Sequence, residues 1–160
     1  MQTHHIVMAI WTITLIAAAI SDLRSFRIPN YLPAILILLF GANSVMTGFS
    51  GTSIDNVLHF LAALVVGMVL FSRGWIGGGD AKLYAAAALW FDWAGAVALI
   101  FTTTIAGAAL AITLIALRML GVRKNVPRED RRIPYGVAIA TGAILTVAWT
   151  GWDRLFPAFS

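Results

Sequence analysis

Long blocks of apolar residues follow one another along the whole chain, separated by short polar connections. Of the 160 residues, 60% are apolar and 11% are charged, whereas about 25% charged residues is usual in a soluble domain. Most blocks approach the length of about 20 residues with which a helix crosses a hydrocarbon core about 30 Å thick. A barrel would instead need short segments of alternating polarity. The sequence therefore predicts an all-α, polytopic integral membrane protein.

We expect six transmembrane helices in a single domain that covers residues 1–160. The predicted spans are residues 6–20, 31–46, 57–71, 81–91, 94–117 and 134–152. The first span is expected to be retained, because basic residues follow it instead of preceding it as in a secretory signal. The fourth span, at roughly 17 Å, is much shorter than the hydrocarbon core. We therefore expect the stretch before it to enter below the membrane surface, within protein or a water-filled cleft.

The basic residues are distributed very unevenly among the connections. Ten of the eleven follow the odd-numbered spans: Arg24, Arg27, Arg73, Lys82, Arg118, Arg123, Lys124, Arg128, Arg131 and Arg132. Because cytoplasmic loops are enriched in Lys and Arg, this distribution predicts that both termini lie on the non-cytoplasmic side.

The net charge of +4 would suggest a nucleic-acid partner in a soluble protein. Here the basic groups lie in short loops, so we interpret them as topology signals and contacts with anionic membrane lipids, and we expect no nucleic-acid partner. Four tryptophans fall at predicted outer ends of spans, as in an interfacial aromatic belt: Trp90, Trp93, Trp149 and Trp152.

Two carboxylates are predicted to lie on the same membrane face. Asp22 follows the first span, and Asp80 follows the glycines Gly77, Gly78 and Gly79 ahead of the fourth. Two carboxylates brought close together share one proton, so that one acts as a base on water while the other donates a hydrogen bond to a carbonyl. The glycines would supply backbone freedom and room for a substrate strand. This pattern is typical of an aspartic peptidase.

Other interpretations of the two carboxylates stay open at this point. Asp22 and Asp80 could be helix-end groups, with Asp80 capping the fourth span. They could also couple ions in a small transporter or channel, although the chain lacks the internal repeat of many transporters. A non-catalytic assembly subunit is a third alternative.

Metal and cofactor chemistry is not expected. The chain contains no cysteine, and two carboxylates are too few ligands for a hard cation. His59, alone among apolar residues of the third span, is expected to make a structural hydrogen bond and not to act as a proton relay or ligand.

Three motifs carry a family resemblance. The motifs are Asp22 through Arg27-Ile28-Pro29-Asn30, then Gly77-Gly78-Gly79-Asp80-Ala81-Lys82-Leu83, and Ile133-Pro134-Tyr135-Gly136 ahead of the last span. In this order they resemble the type IV prepilin peptidase family, most closely its small members that serve tight-adherence (Flp-type) pili. The resemblance covers essentially the whole chain.

This resemblance implies a multi-pass aspartic endopeptidase of the Gly-x-Gly-Asp kind in the bacterial inner membrane, with Asp22 and Asp80 as its catalytic pair. It implies that the partner is a prepilin helix, whose short basic leader is cut after a glycine at the cytoplasmic face. Residues expected to support the substrate or a hinge are Gly77, Gly78, Gly79, Lys82, Arg24, Arg27, Pro29 and Asn30.

One connection departs from the family pattern. Larger members carry a cysteine-rich insertion between the first two spans and also methylate the new N-terminus. Here that connection is only about ten residues long and contains no cysteine. We therefore expect peptidase activity without N-methyltransferase activity.

Overall fold

A computed structural model describes residues 2–49, 54–121 and 133–151. Within these ranges the chain forms α-helices and no strand, which confirms the all-α prediction. The helices are α1 (Gln2–Ser25), α2 (Tyr31–Met46), α3 (Ile54–Ser72), α4 (Gly78–Ala88), α5 (Trp93–Met119) and α6 (Tyr135–Thr150). Each predicted span has its helix, and α2 has the predicted bounds.

Three helices, α1, α3 and α5, are long and apolar enough to cross a membrane, and α2 and α6 are shorter apolar helices. Large apolar side chains on the three long helices face outward; Ile13, Val65 and Ile112, for example, are each at least 60% exposed. Such an apolar exterior suits lipid tails and not water. The structure thus supports a membrane protein, while six crossings and the location of the termini stay predictions.

The short helix α4 lies at the centre of the bundle, where it packs against α2, α3 and α6. Its buried residues, at most 3% exposed, are Ala81, Leu83, Ala85, Ala86, Ala87 and Ala88. Small side chains allow its neighbours to approach closely: a Cβ atom added at Gly67 of α3 would lie 3.0 Å from the Cβ atom of Ala81. Because other helices enclose α4, this helix does not have to match the thickness of the hydrocarbon core.

The C-terminal end of α4 is bonded to the start of α3. The Asn56 amide Nδ2 donates to the Leu89 carbonyl at 3.2 Å, and His59 Nδ1 donates to the Phe91 carbonyl at 2.9 Å. Both donors are buried, and they satisfy carbonyls that the helix end leaves without intrahelical partners. The structural hydrogen bond expected of His59 is confirmed.

Helices α5 and α6 also meet at close range. The hydroxyl oxygens of Thr102 and Thr146 lie 2.7 Å apart, and both hydroxyls donate to the carbonyl of Gly142. A Cβ atom at Gly142 would overlap the backbone of Thr103, with only 2.6 Å to its Cα atom. This buried polar cluster holds α6 against α5.

The interpretation of Trp90 as an interfacial residue is wrong. Trp90 is 3% exposed, donates its indole N–H to the Leu36 carbonyl at 3.3 Å, and packs edge-on against Trp11 and Phe40. It follows the last turn of the central helix, so its ring points into protein. Trp93 and Trp149 are exposed, as a belt requires. Trp152 and the basic residues Arg123, Lys124, Arg128, Arg131 and Arg132 lie outside the described residues.

Candidate active site

Asp22 lies near the end of α1, where it is only 5% exposed. Its Oδ2 atom accepts a hydrogen bond of 2.7 Å from the backbone N–H of Gly136, in the first turn of α6. Glycine permits this approach, since a Cβ atom at position 136 would lie 2.9 Å from Oδ2 and 3.0 Å from the Cβ atom of Asp22. Because the first N–H groups of a helix are unpaired and carry partial positive charge, the start of α6 favours a negative group at Asp22.

Asp80 occupies the first turn of α4, ahead of the apolar part of that helix. Its Oδ2 atom accepts a hydrogen bond of 3.2 Å from the backbone N–H of Gly77, the residue that precedes the helix. Its other oxygen, Oδ1, is buried and has no hydrogen-bond partner among residues 2–49, 54–121 and 133–151. Helix capping therefore explains one oxygen of Asp80 and leaves the other unexplained.

The two carboxylates interact electrostatically. Burial, and secondarily the neighbouring Asp22 carboxylate, raise the pKa of Asp80 to about 6, while the hydrogen bond from Gly77 opposes the shift. Asp22 and Asp80 therefore lie near each other at one end of the bundle, as predicted. A pair of this kind titrates as a unit that can hold a single proton near neutral pH.

Ile28, which the sequence reasoning did not single out, contacts the starts of two helices beside the pair. A Cβ atom at Gly79 of α4 would lie 3.1 Å from the Cβ atom of Ile28, and one at Gly136 of α6 would lie 2.7 Å from its Cδ1 atom. The side chain of Ile28 is 8% exposed. It therefore packs the connection between α1 and α2 against both helix starts.

Some of the residues predicted to support the substrate or a hinge contact α4 or the first turn of α2, and others do not. Lys82 Nζ donates to the Asn30 side-chain oxygen at 2.9 Å, so this pair links α4 to the start of α2. The Pro29 carbonyl accepts the Leu32 N–H at 3.1 Å as α2 begins.

Arg24 and Arg27 have exposed side chains. Neither arginine is hydrogen-bonded to Asp22 or Asp80 in the structure. Any role of theirs in substrate binding stays a prediction.

Gly78 and Gly79 lie in the first turn of α4 and not in a loop, which corrects the expectation that the three glycines precede the helix. Their role as a hinge stays a prediction. Gly77 precedes the helix in an extended conformation, with φ −73° and ψ 145°, which other residues also adopt. The structure shows close approach of neighbouring atoms at Gly77 and Gly79. A Cβ atom at Gly77 would lie 2.7 Å from Asp80 Oδ2, and one at Gly79 would press on Ile28.

Gly136, like Ile28, is a site residue to which the sequence analysis assigns no individual role. It belongs to the motif Ile133-Pro134-Tyr135-Gly136. A glycine in the first turn of a helix, on the face predicted to carry both carboxylates, was the available signal. Its contact with Asp22 spans 114 positions, and no local pattern encodes such a distance in sequence.

Metal ligands are sparse around the pair. Across the described parts of the chain, no group of three or more His, Cys, Asp or Glu side chains lies close enough to hold a metal ion.

Comparison with known protein families gives a match. The model of the type IV leader peptidase family matches residues 9–112, which is more than half of the chain and includes both Asp22 and Asp80. No curated protein and no solved structure matches the chain significantly.

Proposed function

The chain belongs to the type IV leader peptidase family, and from this premise we propose that it is a membrane aspartic endopeptidase with Asp22 and Asp80 as its catalytic pair. One observation carries the assignment. Two interacting carboxylates meet where α1 ends and α4 and α6 begin, and one of them presents a buried oxygen without a hydrogen-bond partner among the described residues. Helix capping alone gives that oxygen no role, whereas the proposed hydrolysis uses it to transfer a proton.

In the proposed reaction, the pair starts with one shared proton. The ionised carboxylate takes a proton from the attacking water, whose oxygen bonds to the peptide carbonyl carbon, while the protonated carboxyl gives its proton to the carbonyl oxygen. Collapse of the tetrahedral intermediate breaks the C–N bond. The leaving nitrogen takes the proton that the first carboxyl received from water, and a hydroxyl of the intermediate returns a proton to the other carboxylate, which restores the singly protonated pair. The products are a new carboxyl terminus on the leader and a new amino terminus on the remaining chain.

We further propose that the substrate is a prepilin of the Flp type and that its short basic leader is removed at the cytoplasmic face of a bacterial inner membrane. Exposed basic side chains at the site end of the bundle, Arg24, Arg27, Arg73 and Lys82, support this orientation, since cytoplasmic ends carry the excess of Lys and Arg. The proposed topology has six spans and both termini on the opposite side.

The proposal is tested by co-expression with an Flp-type prepilin in a bacterium that lacks its own leader peptidase. Asp22→Asn and Asp80→Asn each remove one ionisable group with almost no change of volume, and each is expected to abolish processing on an immunoblot. Asp92→Asn is the matched control. Asp92 caps α5 by accepting the Gly95 N–H at 2.8 Å, and asparagine caps helices equally well, so processing should persist.

Full processing by Asp22→Asn or by Asp80→Asn would refute the assignment of the pair. Ion flux in proteoliposomes without any cleavage would favour a transporter instead. Mass spectrometry of the mature pilin tests the third part of the proposal, that the enzyme does not methylate. A methylated new N-terminus, formed with this chain as the sole leader peptidase, would contradict it.

A further inference from the structure

The two carboxylates of the pair have different surroundings. Asp22 receives a short hydrogen bond, 2.7 Å, from an N–H at the start of a helix of 16 residues. Asp80 receives a longer one, 3.2 Å, from Gly77, and its Oδ1 atom is buried without a partner in the described part of the chain. A backbone donor at a helix start stabilises a negative carboxylate, whereas a buried oxygen without a donor disfavours one.

Resting on the proposed function, we propose that Gly136 is a positioning residue whose backbone N–H holds Asp22 as the ionised member of the pair, so that Asp80 carries the shared proton. Asp22 then takes the proton from water, and Asp80 gives its own to the peptide carbonyl oxygen through Oδ1. The third element of the site is thus a backbone group of α6, supplied from a part of the chain outside residues 9–112, over which the family model matches.

The other charged or titratable groups near Asp22 do not replace this contact. Arg24 and Arg27 are exposed, and Tyr135 at the start of α6 is 40% exposed. On α4, the Lys82 ammonium group is hydrogen-bonded to Asn30. Asp80 is itself acidic and repels a charge on Asp22. The Gly136 N–H is therefore the favourable contact that the structure records at the Asp22 carboxylate.

An amide-to-ester substitution tests the contact without adding a side chain. Glycolic acid introduced at position 136 by nonsense suppression replaces the N–H with an oxygen atom. Loss of a hydrogen bond to a charged group should move the acidic limb of the pH–rate profile for prepilin cleavage upward by about one to two pH units. A structural role alone would lower the amount of folded protein and leave the position of that limb unchanged.

The matched control is the hydroxy-acid analogue of valine at position 137. The Val137 N–H belongs to the same helix start but donates to the Pro134 carbonyl at 3.2 Å and not to Asp22. This ester removes a backbone hydrogen bond of the same helix turn, and the acidic limb should stay in place. An equal shift in both esters, or no shift at position 136, would overturn the proposal.

A second measurement does not depend on cleavage. Infrared titration of the carboxyl bands in nanodiscs, with the Asp22→Asn/Asp80→Asn double variant as the blank, gives the two apparent pKa values of the pair. The lower value should rise in the position 136 ester and stay constant in the position 137 ester. If the chain cleaved no prepilin, the proposed function would fail, and this titration would still decide whether Gly136 stabilises the charge.

Discussion

The three glycines before Asp80 provide the most discriminating prediction, because the structure assigns each a different neighbour. We consider Gly77→Ala, Gly78→Ala and Gly79→Ala as separate variants. If the glycines serve as a hinge, each alanine restricts the backbone in a similar way and all three variants should lose activity together. If space is what matters, the three outcomes should differ, since the added methyl groups meet different atoms.

Gly78→Ala should be tolerated. Its Cβ atom would lie 3.3 Å from the ring of Phe71, a side chain that is 55% exposed and free to rotate away. Alanine is a better helix former than glycine by about 1 kcal/mol in a helix interior, so the free energy of unfolding should stay constant or rise by up to that amount. Cleavage activity should match that of the unmodified chain.

Gly79→Ala should lower both stability and activity. Its Cβ atom would lie 3.1, 3.3 and 3.4 Å from the Cβ, O and N atoms of Ile28, and backbone atoms cannot rotate away. Overpacking costs about 1–3 kcal/mol, and the gain in helix propensity offsets about 1 kcal/mol of that cost. The net loss in the free energy of unfolding should be at most about 2 kcal/mol, and α4 should shift away from the connection between α1 and α2.

Gly77→Ala should separate activity from stability. The extended backbone at this position suits alanine, so unfolding should be little affected, but the added methyl group would lie 2.7 Å from Asp80 Oδ2 and must displace that carboxylate. Misplacing a catalytic group by about 1 Å costs up to about a hundredfold in rate, so activity should fall by about ten- to a hundredfold.

These outcomes are measured as initial rates of prepilin cleavage and as thermal unfolding of the purified variants in the same nanodiscs. Gly78→Ala decides between the two accounts. A loss of activity as large as that of Gly77→Ala, with normal stability, would refute the steric reasoning and support a hinge.

Two further predictions concern a histidine and the pH dependence. His59→Leu leaves the buried Phe91 carbonyl without its donor, so the free energy of unfolding should fall by about 1–3 kcal/mol while cleavage per folded molecule stays constant; loss of cleavage at normal stability would indicate a proton relay instead. Because the pKa of Asp80 is raised to about 6, its proton is held below that pH and lost as the pH rises through it. The initial cleavage rate should therefore fall on the alkaline side of the pH profile, and a rate that rises there would contradict the shared-proton pair.

Hydropathy and charge were sufficient to predict the helices and the shared end of the bundle. Apolar blocks gave the bounds of α2 because Pro29 and Asn30 precede it and a polar turn follows. They underestimated α1, whose helix continues through Asp22 and Arg24 to Ser25, since helical hydrogen bonding does not end where hydropathy falls. The distribution of Lys and Arg alone predicted that Asp22 and Asp80 lie at the same end of the bundle. Their electrostatic interaction in the structure agrees with this prediction.

Contacts between distant helices could not be predicted from local patterns. Trp90 has the composition of an interfacial residue, yet the helix it follows is enclosed by protein, so the ring packs on Trp11 and Phe40. Gly136 meets Asp22 across 114 positions of sequence, through the packing of α6 against α1 and α4 as well as α5. Both depend on how helices pack, which a hydropathy profile does not contain.

The bonds that join α3 to α4 have a mechanical consequence. The two helices touch at Gly67 and Ala81, and Asn56 and His59 bind the carbonyls beyond the end of α4. These contacts join the two helices towards both ends, so that α3 and α4 pack together as one hairpin. Any rearrangement that changes the separation of the two carboxylates would therefore move this hairpin as one body relative to α1 and α6, and the boundary between the moving parts would run through the active site itself.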